Sequence, residues 1–407
     1  MKFSRRCIVA FLAVGVLLST TVPFGARAAD TKTIKIGLDL PLSGGEAGAN
    51  IPTENGVLLA IEEANAAGLP SGYTLAPYVL DDSVEGKHDP AQGAQNVRTF
   101  IADPDVLAFV GPANSSVAKA EIPLANDAGL VQIAASTTAD GLTRGPDAAK
   151  LRVAHPDVNT FFRLSTLDSR QGAAGASFAK RLGLSKAFII DDNETYGKGL
   201  ADVFEQQFGA QGGTILGHEH VLPTQTDFTP LLTKAKASGA DVLFFGGVSV
   251  TGGGLLRRQQ VTSGLGKIPL LGGDGLAGGD FLAAAGPAAN GTYYTLSSPD
   301  VTRLPGAAKF VETYKARFKD DPGPYSANGY TAAKIIIAAI EKTISAGNGA
   351  PPTRGQVLKN VAETRDFPTP VGAIGFDKYG DTTAPILSLY EVKSSRAEFI
   401  SQIDLKN

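Results

Sequence analysis

The stretch "VLAFVGPANSSVAKAEIPLANDAGLVQIAAS", residues 106–136, holds an apolar run, a Gly-Pro break, a segment of helical pattern opened by Asn114-Ser115-Ser116, and a second apolar run. Strand, helix and strand in that order make a βαβ unit, whose strands run parallel with the helix packed across them. The same cadence continues on both sides. "TIKIGLDLPL" and "YTLAPYVLDD" come before it, and "FFRLS", "KAFIIDD", "GTILGHEHVL", "DVLFFGG", "IPLLGG" and "TYYTLSS" come after. Helical patterns separate most of these runs. Residues 55–67, for example, place Val57, Leu58, Ile61 and Ala64 on one stripe with Glu62 and Glu63 opposite. The expected fold class is therefore α/β, with mostly parallel sheets and helices on both faces.

Composition narrows the function. Lys2, Arg5 and Arg6, the apolar run 8–18 and Ala26-Arg27-Ala28 have the pattern of a cleaved secretory signal over residues 1–28. Ser4-Arg5-Arg6 carries part of a twin-arginine pattern, so the export route stays open. Losing 28 of 407 residues would leave 379, and losing four positive charges would take the formal net charge from −3 to −7. Such a surface argues against nucleic acid as a partner. A chain of that length exceeds one hydrophobic core, so two lobes are expected. The single cysteine, Cys7, lies inside the signal, which removes disulfides, thiolate metal sites and a cysteine nucleophile from the remainder. No later stretch has about 18 uninterrupted apolar residues, so an exported, periplasmic, soluble protein is expected.

Small polar residues gather where the apolar runs end: Ser43-Gly44-Gly45, Ser115-Ser116, Ser136-Thr137-Thr138 and Asp274. In open α/β sheets ligands bind beyond the carboxyl ends of the strands. Two lobes with such ends facing one another would form a cleft. A hydroxyl at the start of a helix can cap it or donate to an anion held by the helix N–H groups. Ser115 with the second cluster at Ser136–Thr138 favours the anion, and Ser116 is read as a cap.

Catalytic patterns are missing. No G-x-S-x-G, H-E-x-x-H or phosphate loop occurs, and residues 273–278 fit G-x-G-x-x-G without the long crossover helix or the later acid that a dinucleotide site needs. His218 and His220 alternate on one strand face, read as a solvated face with a metal pair as the alternative, and His88 falls in a charged loop. No catalytic residue, metal or cofactor is expected.

"GPANSS…IPLANDAGLVQIAASTTADGLT", "LSTLDSRQG", "IIDDNETYGKGLADVF", "LFFGG" and "LLGGDGL" occur in the order and spacing of the periplasmic leucine/isoleucine/valine-binding proteins, which this chain resembles from about residue 33 to 392. These are the extracytoplasmic receptors of ABC importers of the branched-chain amino-acid type. The resemblance implies two Rossmann-like lobes joined by three crossover strands, the type I periplasmic binding fold. Residues 29–166 and 299–372 would form the N-terminal lobe, and residues 167–298 and 373–407 the C-terminal lobe. It also implies a small-molecule ligand in the cleft, an ABC permease of the inner membrane as partner, and a monomer.

By motif, Ser115 matches the serine that binds the ligand carboxylate. Thr138 matches the threonine near the α-carboxylate and ammonium, and Ser136 a residue whose backbone carbonyl helps there. Tyr196 in "NETYGKG" matches a tyrosine reaching the ligand from the opposite lobe. Asp274 falls at the acid that pairs with the ammonium, and Tyr325 in "DPGPYSANGY" at an aromatic pocket position. A bland alternative stays open for each, since Tyr196 could pack at a helix start and Asp274 could cap a turn.

Three departures bear on the ligand. Val248 stands where the resemblance implies a tyrosine, and Ala49 or Asn50 where an aromatic is common. The acid is Asp, one methylene shorter than Glu. The expected function is amino-acid capture by domain closure. An organic acid or amide as ligand, or a sensor role, is the alternative, and a periplasmic enzyme the remotest.

Overall fold

The computed structural model describes residues 32–405. The expected signal lies outside the described residues. Two sheets organise the chain. The first has the strand order Tyr73–Asp81, Lys32–Leu40, Val106–Val110, Val131–Ala134, Phe161–Arg163, all parallel. The second runs Arg396–Asp404, Ile386–Lys393, Thr292–Leu296, Leu270–Gly272, Val242–Gly246, Lys186–Asp191, Thr214–His220. Its last five strands are parallel and the first two add antiparallel at one edge.

The near-continuous apolar runs follow from burial on both faces. Along Val242–Gly246, Leu243 and Phe245 join one apolar cluster while Val242 and Phe244 join the cluster on the opposite face. The first sheet is covered on one side by the helices Ala47–Ala67 and Ser326–Ala346, whose Val57, Ile61, Ile336 and Ile340 meet Ile34, Ile36 and Leu38. These two helices touch backbone to backbone: a Cβ on Gly56 would lie 2.1 Å from the Ser326 carbonyl oxygen, and one on Gly329 would lie 2.4 Å from that of Thr53.

The first of these helices starts earlier than the pattern at 55–67 predicts, at Ala47, and runs through Pro52. "SGGEAGANIP" reads as a loop because it is rich in glycine and carries a proline. It is helical because its unpaired first-turn N–H groups find an acceptor elsewhere. The N–H groups of Gly48 and Ala49 donate to Asp280 at 3.2 and 2.8 Å.

Three segments carry the chain between the sheets, after Arg163, after Leu296 and before Ile386. They bond to one another. The Thr166 N–H donates to the Ser297 carbonyl, its hydroxyl donates to the Ile386 carbonyl at 3.0 Å, and Ser388 Oγ donates to the Ser298 carbonyl at 2.9 Å. Beside them Asp381 accepts from Arg163, Arg144 and Thr143. Burial alone would raise its carboxyl, but the guanidinium of Arg163 and its donors outweigh that and hold it below its ordinary value. The return to the second sheet comes later than the expected boundary at residue 373. Ile374, Phe376 and Ala384 still pack in the first sheet's apolar cluster, and the strand of the second sheet begins at Ile386. No helix among the described residues is long and apolar enough to cross a membrane.

Candidate ligand-binding cleft

The carboxyl ends of both sheets open into one cavity. Ala49, Ser115, Ser136 and Thr138 line it from the helix starts and loops that follow the first sheet's strands, Tyr196, Val248 and Asp274 from those that follow the second's, and Tyr325 from the turn before the long helix Ser326–Ala346. All eight residues singled out in the sequence therefore meet in one place.

Ser115 is the first residue of the helix Ser115–Ala128, one position inside its N-cap, Asn114, whose side chain makes no cap bond. Gly111 lets the chain leave the strand Val106–Val110 tightly against the backbone of the neighbouring strand Lys32–Leu40. Its φ is +137°, and a Cβ there would lie 2.0 Å from the Asp39 carbonyl oxygen. Ser115 Oγ accepts long contacts from the N–H groups of Thr138 and Ala139, at 3.4 and 3.3 Å. The hydroxyl therefore acts as acceptor towards the protein, and its own proton is left to donate into the cavity. Ser136 Oγ donates to the Ala113 carbonyl, which ties its side chain back. Ser116 is not the cap expected of it, because its Oγ donates to Glu194 Oε2 at 2.9 Å from the opposite side of the cleft.

At the other wall Asp274 is surrounded by neutral donors. Gln171 Nε2 and the Tyr196 hydroxyl donate to Oδ1 at 2.6 and 3.0 Å, and the Tyr325 hydroxyl donates to Oδ2 at 2.7 Å. Burial raises the Asp274 carboxyl above its ordinary value against the pull of those donors. Burial and the neighbouring Asp274 push both tyrosine hydroxyls far up, so they remain protonated donors. The Tyr196 hydroxyl also accepts from the Gly275 N–H, so it orients the acid and its hydrogen-bonding capacity is spent within the protein. Asp168 lies behind, wholly buried, its carboxyl also raised by burial and by Asp274. None of the residues lining the cavity is Lys, Arg or His, whereas Glu46, Asp274 and Asp280 are among them.

The rim contains a group that the sequence does not reveal. His88 Nδ1 lies 2.7 Å from Glu46 Oε2, and its Nε2 lies 2.9 Å from Glu194 Oε2. Burial disfavours its charge, but Glu46 and Glu194 outweigh burial and raise the imidazole to about 11. A protonated histidine thus bridges a carboxylate near the first sheet and one at the end of the second. Asn114 Nδ2 also donates to Glu46. Glu194 stands two residues before Tyr196 in "NETYGKG", which is the only local signal for this contact.

The sequence profile of the periplasmic binding protein family matches residues 33–397. The Leu/Ile/Val-binding protein homolog 3 of Brucella melitensis is 29% identical over 93% of this chain and 96% of its own length. The Leu/Ile/Val-binding protein homolog 2 of Brucella abortus is 30% identical over 95% and 94%. Among solved structures, the branched-chain amino acid transporter substrate binding protein LivJ of Streptococcus pneumoniae, in complex with isoleucine, superposes with a TM-score of 0.78 at 27% identity, over 92% of this chain and all of that one. The two sheets, the shared cleft and these matches over nearly the whole described length place the chain in the periplasmic binding protein family, with the type I fold.

Proposed function

We propose that this protein captures a free amino acid with an aliphatic side chain in the cleft and presents it to an ABC permease of the inner membrane. The observation that carries the reading is the cavity's charge. Its walls hold the acid Asp274 among neutral donors and no cationic side chain. A plain carboxylate would meet an acidic wall without compensation, while a zwitterion presents its ammonium there and its carboxylate to Ser115 and the first turn of its helix. Ser115 and Thr138 then hold the carboxylate, the Ser136 carbonyl and Asp274 the ammonium, and Tyr196 and Tyr325 fix the acid. Ala49 and Val248 face the side chain. Residues 29–166 with 299–372, and 167–298 with the return beginning at Ile386, would act as the two closing bodies. Ligand bridging both would favour the closed form, which a permease reads.

A thermal-shift screen of protein unfolded and refolded to strip bound ligand tests this, because a ligand of the native state raises Tm by mass action. Shifts with aliphatic amino acids and none with the corresponding amine-free acids are expected. Shifts with amine-free carboxylic acids alone would overturn the reading and recast Asp274 as a neutral hydrogen-bonding group.

A further inference from the structure

The two histidines at the edge of the second sheet, His220 exposed and His218 half-buried, turn towards one buried acid. His220 is paired across the strands with Asp191, and His218 with Ile189, so both rings stand on the side that Asp191 occupies. His218 Nε2 and His220 Nδ1 each lie 2.7 Å from the same atom, Asp191 Oδ2. The three ligand atoms fall within 4.8 Å of one another. We propose that Asp191, His218 and His220 form a binding site for a divalent transition-metal ion, represented by Zn²⁺, apart from the ligand cleft.

The surroundings orient these atoms. The other nitrogen of His218, Nδ1, lies 2.7 Å from Glu205 Oε2. A carboxylate in that position fixes the tautomer and leaves Nε2 to face the metal, as the outer partners of metal-binding histidines do. Asp191 Oδ1 is held by the Asn193 N–H at 2.8 Å. Asp191 and His218 are buried or nearly so, whereas the His220 side chain is 47% exposed, which gives an ion a way in and leaves a position for water. Zinc bonds nitrogen and oxygen at about 2.0–2.2 Å, which sets tetrahedral ligands about 3.3–3.5 Å apart, so each ring nitrogen must draw back from Asp191 Oδ2 by about 0.6–0.8 Å, within reach of small side-chain rotations. Without a metal, the space between these lone pairs must be filled by protons. An ion therefore displaces protons as it binds, and acid weakens it. Asp191 opens the turn that leads to Glu194 and Tyr196, so an ion here would pin the base of the cleft's rim.

The test is calorimetric titration of untagged, chelator-treated protein with zinc chloride. One equivalent should bind, with proton release, and His220→Gln should weaken it more than tenfold. His218→Gln should do the same, while His155→Gln, which alters an exposed histidine elsewhere, should leave binding unchanged. Circular dichroism spectra like the wild type's and a cooperative thermal transition in the presence of EDTA establish that the variants fold. Failure of zinc to saturate at one equivalent, or equal affinity in folded His220→Gln protein, would overturn the proposal.

Discussion

At the end of the cleft under Ser115 and Asp274 the polar side chains already hold protein partners, whereas the end under Ala49, Val248 and Ala277 has small apolar side chains beside Asp280, whose carboxyl accepts from the Gly48 and Ala49 N–H groups. The first end is preorganised, so a ligand head group meets fixed donors and acceptors at little ordering cost. The second, where Asp280 is already engaged by those N–H groups, would discriminate a ligand side chain mainly by volume, and a methylene in such a pocket is worth only about 1–3 kcal/mol. The polar end would therefore decide which chemical class binds, and the apolar end only the ranking within it.

The sharpest way to break this contrast is Asp274→Asn. For an amino acid the buried ammonium loses its counter-charge, and calorimetry should read a loss of about 3–5 kcal/mol. A loss confined to a few tenths would make the two ends equivalent. The wild-type affinity should also fall as pH drops through the raised pKa of Asp274, since its carboxyl must be ionised to pair. Ser115→Ala comes next. It removes a donor to the carboxylate and the acceptor of two buried N–H groups, for a loss of about 1–3 kcal/mol in affinity without unfolding.

A smaller effect is expected from His88→Gln, which touches neither end but unties Glu46 from Glu194. Affinity should fall by the amount the tie favours the closed form, less than for Ser115→Ala. Its pH signature is distinctive. The folded imidazole is raised to about 11 while the unfolded one keeps its ordinary 6.5, so its contribution is complete below the lower value and disappears as pH rises towards the higher. Tm measured across that window should decline in the wild type and less steeply in His88→Gln. Smallest of all, Val248→Ala should reorder aliphatic ligands by about 1 kcal/mol or less while leaving amine-free acids excluded. A switch of class from that substitution would erase the distinction between the ends.

Much of this was legible before any coordinates. The runs that end at Val110, Ala134, Gly246 and Gly272 mark strands whose carboxyl ends open on the cleft, and Ser115, Ser136, Thr138, Val248 and Asp274 follow them, whereas the Ser-ended runs at 161–165 and 292–298 lead into the segments between the sheets. Tyr325 has no local pattern and came only with the family resemblance. What stayed hidden depends on contacts between distant residues. Nothing near Glu46 announces that His88 and Glu194 will meet it. The pair His218 and His220 reads as a wet strand face until Asp191, 27 and 29 residues away, is placed beneath it. The helix start at Ala47 was hidden for the same reason, because its first N–H groups depend on Asp280.

The pairing of Gly56 with Gly329 has a consequence for how the chain is made. The strands of the first sheet are complete at Arg163, but one of its faces is covered by the helix Ser326–Ala346. A nascent chain must therefore carry that half-built layer exposed until about four-fifths of its length has been synthesised. Contacts so distant in sequence slow folding. If the first 28 residues do direct export, that delay keeps the polypeptide unfolded while it is threaded through a membrane channel.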